Sequence, residues 1–257
     1  MPRCLTLIVT VALSFASAPA KAQQPKIDEF KMITYQAVFV TKGPGWVPET
    51  PEVMPIVRAH REYVAALIRS GRAHIGGPLR LASLARDGRV RLASVGPGSL
   101  VELQAPARGK HDDDAHLRGA YIVSGTPEQA KELAEADPGV KDGRYAIEIL
   151  QWMGPEGWFQ RPADVTQTEI IYFGFLVTGP NTAPVTPDEQ KALMQGHLGY
   201  MDGQAKLGKL VLAGPLVKAG NRRGLIAYRV ATMAEAIERA SADPMIKAGR
   251  MVPELYE

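Results

Sequence analysis

Tyr35-Gln-Ala-Val-Phe-Val-Thr41 returns later in the chain as Tyr172-Phe-Gly-Phe-Leu-Val-Thr178, an offset of 137 residues. The same offset of 137 residues relates other identical residues, which are His60 and His197, Tyr63 and Tyr200, Gly71 and Gly208, and Gly77-Pro78 and Gly214-Pro215. Similarity that stays in register over such a distance indicates an internal duplication.

A second set of matches has an offset of 106 residues. It pairs Ala136-Asp137-Pro138 with Ala242-Asp243-Pro244, and Lys141-Asp-Gly-Arg144 with Lys247-Ala-Gly-Arg250. The two offsets differ by 31 residues (137 − 106), so the first copy contains an insertion, which we place at about 79–117. We expect two domains at 32–158 and 168–257, joined by a linker at 159–167.

Each copy is predicted to have the element order βαββαβ. The opening segments are rich in β-branched and aromatic residues, and apolar residues at three- and four-residue steps then indicate an amphipathic helix. Thr126-Pro-Glu-Gln129 is typical of a capping box at the start of a second helix. This order predicts an α+β protein of two ferredoxin-like domains. Because each sheet has a bare face, we expect the two sheets to pack together as an intrachain α+β barrel, with a pocket between them.

The first 22 residues resemble a secretory signal. A basic start precedes an apolar stretch from Cys4 to Ala16, and Ala20-Lys21-Ala22 has the small-x-small form of a cleavage site. Removal of 1–22 takes away the single cysteine and lowers the formal net charge from +3 to about +1. The sequence therefore predicts a periplasmic or secreted protein that binds neither nucleic acid nor, after cleavage, a membrane.

Two histidines and two aspartates are the candidate chemical groups. His60 and His197 lie within the apolar helical stripes, so their imidazoles are predicted to point inward. Each is either a core histidine bonded to a backbone carbonyl or a general acid or base oriented by a carboxylate. Asp137 and Asp243 are the best carboxylate partners, although an Asp before Pro also commonly caps a short helix. These two roles of the aspartates are compatible.

The series His60-x-x-Tyr63, Gly71, Gly77-Pro78 and Ala136-Asp137-Pro138, repeated in the second copy, resembles the YCII-related family of the dimeric α+β barrel superfamily. This resemblance implies a ferredoxin-like α+β barrel without an organic cofactor, and His–Asp pairs that serve acid/base chemistry. Here the pairs are His60 with Asp137 and His197 with Asp243. One relative is a dehydrochlorinase that acts on a chlorinated hydroxyquinol, and others are regarded as binding or accessory domains. The predicted ligand-contacting residues are Tyr63, Gly77, Pro78, Tyr200, Gly214 and Pro215.

The first hypothesis for function is cofactor-free proton transfer, of the lyase or isomerase type, on a small molecule. The alternative is a small-molecule-binding, structural or interaction module without turnover, and the sequence leaves open whether the protein is an enzyme or oligomerises. His111-Asp-Asp-Asp-Ala-His116 in the insertion contains potential metal ligands, but we predict a solvated loop and no metal site. The insertion is also expected to enclose the pocket of the first copy more than that of the second.

Overall fold

The structure is a computed structural model that describes residues 31–79, 117–159 and 169–256, and the backbone of two short strands in the insertion. The elements, in chain order, are β1 (Met32–Lys42), α1 (Met54–Arg69), β2 (Ala73–Pro78), β3 (Arg89–Arg91), β4 (Glu102–Gln104), β5 (Leu117–Val123), α2 (Pro127–Glu135), α3 (Pro138–Lys141), β6 (Tyr145–Pro155), β7 (Tyr172–Thr178), α4 (Pro187–Lys206), β8 (Leu210–Val217), β9 (Arg222–Tyr228), α5 (Met233–Ser241), α6 (Pro244–Lys247) and β10 (Met251–Tyr256).

Two antiparallel four-stranded sheets form the centre of the molecule. Their strands are hydrogen-bonded in the order β10-β7-β9-β8-β6-β1-β5-β2, and β6 joins β8 through Gln151 with Val217 and Trp152 with Leu216. Each half has the order βαββαβ, apart from a short added helix (α3 or α6) and the insertion. The predicted pair of ferredoxin-like domains is confirmed.

The inner faces of the two sheets pack against each other. The ring centroid of Phe39 lies 5.1 Å from that of Phe175 and 6.1 Å from that of Phe173. Trp152 and Leu225 are fully buried in the same layer. One apolar core therefore spans both halves, which is the predicted intrachain α+β barrel. Side chains of both sheets fill the space between them, as close packing in a protein interior requires.

The helices cover the outer faces of the sheets. In the N-terminal domain a separate cluster joins Val38 and Val40 of β1 to helix residues such as Leu133. The predicted capping box is present at α2, where the Thr126 side chain accepts from Gln129 N and the Gln129 side chain accepts from Thr126 N. Gly71 follows α1 with φ +76°, as a residue that ends a helix in the left-handed region should.

The register between the first strands of the two copies differs from the sequence match. At the offset of 137, Tyr35 corresponds to Tyr172, yet Tyr35 lies in the inner core and Tyr172 in the outer cluster. An offset of 136 pairs Phe39 with Phe175, both on the inner face. A shift of one residue turns every side chain of a strand to the other face, so the predicted strand match is wrong by one position.

Several predicted segments lie wholly or largely outside the described residues. They are the signal at 1–22, the linker at 159–167 and the acidic loop from His111 to His116. Within the insertion, β3 pairs with β4 as a two-stranded antiparallel sheet. Where the linker begins, Phe159 packs against Tyr35 and Trp152. Among the helices that the structure describes, none is long and apolar enough to cross a bilayer.

Candidate functional site

The structure brings each predicted histidine into contact with its predicted aspartate. His60 Nδ1 lies 2.6 Å from Asp137 Oδ2, and His197 Nδ1 lies 2.6 Å from Asp243 Oδ2. The aspartates are buried, with 1% and 0% of their side chains exposed, whereas each histidine side chain keeps 13%. Such short bonds between an imidazole and a carboxylate are among the stronger hydrogen bonds in proteins.

Each aspartate also caps the short helix that follows it. Asp137 Oδ1 accepts from Gly139 N at 2.8 Å, and Asp243 Oδ1 accepts from Met245 N at 2.8 Å. One oxygen therefore begins the helix while the other binds the histidine, so both roles proposed from the sequence hold together. The proline after each aspartate occupies the first helical turn, where its missing N–H costs no hydrogen bond.

The carboxylate determines which ring nitrogen of the histidine carries the proton. An ionised carboxylate can only accept, so Nδ1–H must be the donor to Asp137 or Asp243. In the neutral ring, Nε2 then has a lone pair, and it can accept a hydrogen bond or bind a metal ion. Each pair therefore holds an imidazole at a fixed angle with Nε2 as its reactive atom.

The histidines lie in the outer helical layer rather than between the sheets. His60 contacts Tyr145, with ring centroids 4.5 Å apart, and Tyr145 belongs to the outer cluster of the N-terminal domain. The predicted pocket between the sheets, with the imidazoles around it, is therefore wrong. The physical reason is that the helices and the opposite sheet lie on different faces of each sheet, so a helical side chain cannot reach the inner layer.

The two predicted tyrosines bind backbone carbonyls of neighbouring helices. Tyr63 donates to Leu133 O at 2.7 Å, and Tyr200 donates to Arg239 O at 2.5 Å. Burial raises the pKa of both phenols, and the charge of the nearby aspartate raises it further. The hydroxyls therefore stay protonated and tie α1 to α2 and α4 to α5. Contact of either tyrosine with a ligand stays a prediction.

The predicted Gly-Pro pairs lie in the sheets. Gly77 and Pro78 pair with β5, and Gly214 and Pro215 pair with β9. A Cβ at Gly214 would lie 2.1 Å from the backbone oxygen of Met153, so this glycine allows β6 to approach β8 closely. A Cβ at Gly77 would meet nothing within 4 Å. A role of these residues in ligand binding stays a prediction.

A shallow, open groove of about 470 Å³ lies beside the His197–Asp243 pair, and we call it the C-terminal groove. Its lining residues are Asn181, Val185, Glu189, Ala192, Leu193, Pro244, Ala248 and Arg250. Leu193 precedes His197 by one helical turn, and Pro244 follows Asp243. The two elements joined by the His–Asp bond, α4 and the start of α6, therefore also form walls of the groove.

The same position in the N-terminal domain can be located by backbone hydrogen bonds. Matching bonds join Gly43 with Arg144 and Gly45 with Gly143 in one copy, and Gly179 with Arg250 and Asn181 with Gly249 in the other. Arg144 therefore corresponds to Arg250, and Trp46, which follows Gly45, corresponds to Thr182. Trp46 is a residue that the sequence analysis missed.

Trp46 covers Arg144, the counterpart of Arg250 in the lining of the C-terminal groove. The guanidinium carbon of Arg144 lies 4.3 Å from the centroid of the indole, and Arg144 is 1% exposed. Tyr145, which contacts His60, lies 6.0 Å from the same indole. Met251 and Thr182 replace these two rings in the C-terminal domain. In the N-terminal copy two rings therefore cover the guanidinium, whereas the predicted effect of the insertion lies outside the described residues.

A second, smaller groove of about 230 Å³ lies beside α2 in the N-terminal domain. Gln36 borders it, is 2% exposed, and has a buried Oε1 without a hydrogen-bond partner. At the offset of 136, Gln36 corresponds to Tyr172, whose ring is buried in the outer cluster of the other copy. The N-terminal copy therefore has the larger side chain at one position, Trp46 against Thr182, and the C-terminal copy has it at another, Tyr172 against Gln36. In the described part of the chain, no cluster of three possible metal ligands occurs.

Two joined ferredoxin-like units with a shared inner core define this protein as an α+β barrel. Residues 174–254 match the YCII-related domain model, so the C-terminal domain is a YCII-related domain, as its His, Gly-Pro and Asp-Pro residues predicted. No curated protein matches this sequence.

Similar solved structures cover both halves of the chain. A chlorite dismutase from Candidatus Nitrospira defluvii in complex with imidazole is 11% identical with a TM-score of 0.49, over 87% of this chain and 91% of that one. A heme-binding protein from Thermus thermophilus is 10% identical with a TM-score of 0.42, over 88% and 91%. One neighbour is described as a heme-binding protein, and the prediction of cofactor-free acid/base chemistry is wrong on this comparison.

Heme is the group named for one neighbour, and the described residues fit it only in part. A histidine whose Nδ1 binds a carboxylate has the arrangement typical of a metal-ligating imidazole. However, the C-terminal groove is open to solvent, and buried side chains such as Met201 and Ile246 fill the adjoining layer. His60 is covered by Tyr145. The described residues therefore offer a ligand atom without an enclosure for a macrocycle, and we assign no step to heme.

Proposed function

We propose that this protein binds a small molecule in the C-terminal groove, with Nε2 of His197 at the inner end of the site. The observation that carries this proposal is the contrast between two otherwise equal His–Asp pairs. The His197–Asp243 pair adjoins the C-terminal groove through Leu193 and Pro244, whereas in the N-terminal domain the indole of Trp46 covers Arg144, the counterpart of the lining residue Arg250. The N-terminal copy then acts as a support that completes the barrel.

The groove has the composition of a binding site for small molecules. Its apolar walls come from Val185, Leu193 and Pro244, and Arg250 supplies directed hydrogen-bond donors. Pockets of this size, apolar with a few oriented polar groups, are typical of small-ligand sites. Asp243 fixes the angle of the imidazole, and Arg250 Nη1 is bound to Asn181 O, so these polar groups are already ordered before a ligand arrives.

The test compares His197→Gln with His60→Gln as matched variants. Both break a bond of 2.6 Å to a buried aspartate, but only His197 lies one helical turn from Leu193, a lining residue of the C-terminal groove. A fragment collection is screened by ¹H–¹⁵N NMR on the mature chain. Fragments should shift resonances of the C-terminal groove, His197→Gln should weaken their binding at least threefold, and His60→Gln should leave it unchanged. Equal effects of the two variants would refute the proposal.

A hemin titration, followed by the Soret band, is the second arm of this test. A one-to-one Soret shift that His197→Gln abolishes would replace the proposed site with a heme site. A titration with no shift agrees with the open shape of the groove.

We also propose that the chain is exported and cleaved after Ala22. The support is the apolar stretch and the Ala20-Lys21-Ala22 sequence. N-terminal sequencing of the protein from a periplasmic fraction should give Gln23 as the first residue. An intact Met1 in that fraction would contradict the proposed cleavage.

A further inference from the structure

We infer that the ligand of the C-terminal groove is a flat aromatic molecule that stacks on the guanidinium of Arg250. This inference rests on the proposed function and specifies the class of ligand. Its basis is that the N-terminal copy carries such a ring in its own chain, the indole of Trp46, at the corresponding guanidinium. The N-terminal copy thereby indicates that a flat aromatic ring can pack on the guanidinium at this position of the fold.

Trp46 is held by two arginines. The guanidinium carbons of Arg118 and Arg144 each lie 4.3 Å from the indole centroid, within the distance of a cation–π contact. Arg144 is buried, and its Nε and Nη2 have no hydrogen-bond partner. Its Nη1 donates to Val47 O at 2.9 Å, and the rings of Trp46 and Tyr145 lie over the guanidinium. Planar guanidinium groups stack well on rings, which lysine does not reproduce.

Both arginines have counterparts in the C-terminal domain. Arg144 corresponds to Arg250 through the matching backbone hydrogen bonds. Arg118 corresponds to Arg223, because each lies at the irregularity where the register shifts between the first strand and its neighbour. The cationic side chains are therefore kept, while the ring between them is replaced by Thr182.

Arg250 is placed to receive a ring from solution. Its Nη1 donates to Asn181 O at 2.8 Å, which holds the guanidinium at the wall of the groove. Val185 and Pro244 supply apolar contacts for the edges of a ring. Met251 replaces Tyr145 next to the histidine, and its flexible thioether side chain can adapt to a ring better than a second aromatic residue can.

The test uses benzoate and cyclohexanecarboxylate, which carry the same charge on a flat and a saturated ring. Binding to the mature chain is followed by ¹H–¹⁵N NMR. Benzoate should bind about two- to fivefold more tightly, as an exposed cation–π contact allows, and Arg250→Lys, which keeps the charge, should remove this preference. Thr182→Trp should block both probes, because it supplies the ring that covers the corresponding guanidinium in the N-terminal copy.

The possible outcomes separate this inference from the proposed function. Equal binding of the two probes, both blocked by Thr182→Trp, would overturn the aromatic class while the groove remains the site. A preference for benzoate that survives in Arg250→Lys would overturn the role of Arg250. If neither these probes nor any fragment shifts resonances of the C-terminal groove, the inference and the proposed function are both refuted.

Discussion

Asp243 offers the sharpest test of how one carboxylate serves two partners. Asp243→Asn keeps an oxygen for Met245 N, so the cap of α6 survives, but the group facing His197 becomes a neutral amide. A hydrogen bond to a charged group contributes about 1.5–3 kcal/mol and a neutral one about 0.5–1.5 kcal/mol, so the expected loss is about 1 kcal/mol. Asp243→Ala removes the bond and the cap, which contributes about 1 kcal/mol, and should cost about 3 kcal/mol in total.

Urea denaturation of the chain without residues 1–22 measures the two losses, and ¹⁵N NMR of the imidazoles reports the position of the proton. In the parent protein the neutral ring of His197 should carry its proton on Nδ1. In Asp243→Asn the amide becomes the donor to Nδ1, so the proton should move to Nε2. Equal destabilisation by Asn and Ala, or a proton that stays on Nδ1 in the Asn variant, would refute this account. The same substitutions at Asp137 provide an internal replicate.

Three further predictions concern the fold. Gly214→Ala should lower the free energy of unfolding by about 2 kcal/mol or more, because its Cβ would overlap a backbone oxygen of β6. Gly77→Ala should change it by less than about 0.5 kcal/mol, because its Cβ meets no atom. Equal shifts of the melting temperature in the two variants would contradict this prediction. Burial lowers the pKa of His74, so the folded state favours its neutral form and the free energy of unfolding falls as the pH drops below about 6.5. His74→Phe should therefore lose less stability than the parent protein between pH 7 and pH 5. If urea titrations give both proteins the same dependence of unfolding free energy on pH, this account is wrong. Gln36→Tyr introduces the residue that its counterpart Tyr172 has in the other copy. It should raise the free energy of unfolding by about 1 kcal/mol, because it removes a buried amide oxygen that has no hydrogen-bond partner. A lower free energy of unfolding would show that the ring does not fit.

The sequence predicted the element order and the candidate residues of the site because each depends on local rules, whereas the pairing of each histidine with its aspartate, 77 and 46 residues away, followed from the resemblance to the YCII-related family. A helical stripe determines which side of α1 carries His60, and Asp137 before Pro138 determines where a short helix begins. Since both copies contain the same residues in the same order, one copy supported the interpretation of the other.

The strand register could not be obtained in this way. From Tyr35 to Thr41, β1 is buried on both faces, so it lacks the alternation of polar and apolar residues that would reveal its orientation. Letter-by-letter similarity then favoured the offset of 137. Only the pairing with neighbouring strands and the backbone hydrogen bonds of the following turn distinguish 136 from 137.

Trp46 was missed for a different reason. It lies in a loop without periodicity, and its partners Arg118 and Arg144 are distant in the sequence. Whether such a residue packs on the surface or closes a groove depends on tertiary contacts alone. A comparison of the residues that the copies share therefore could not reveal the difference between Trp46 and Thr182.

The covalent joining of the two halves has a consequence for how they can change. In a barrel built from two identical chains, one substitution appears twice, so an indole that shuts one groove would shut the other as well. Here the two halves are encoded by separate stretches of one gene, so a mutation can change one half and leave the other unchanged. The fusion thus permits a division of labour that a symmetric homodimer cannot achieve.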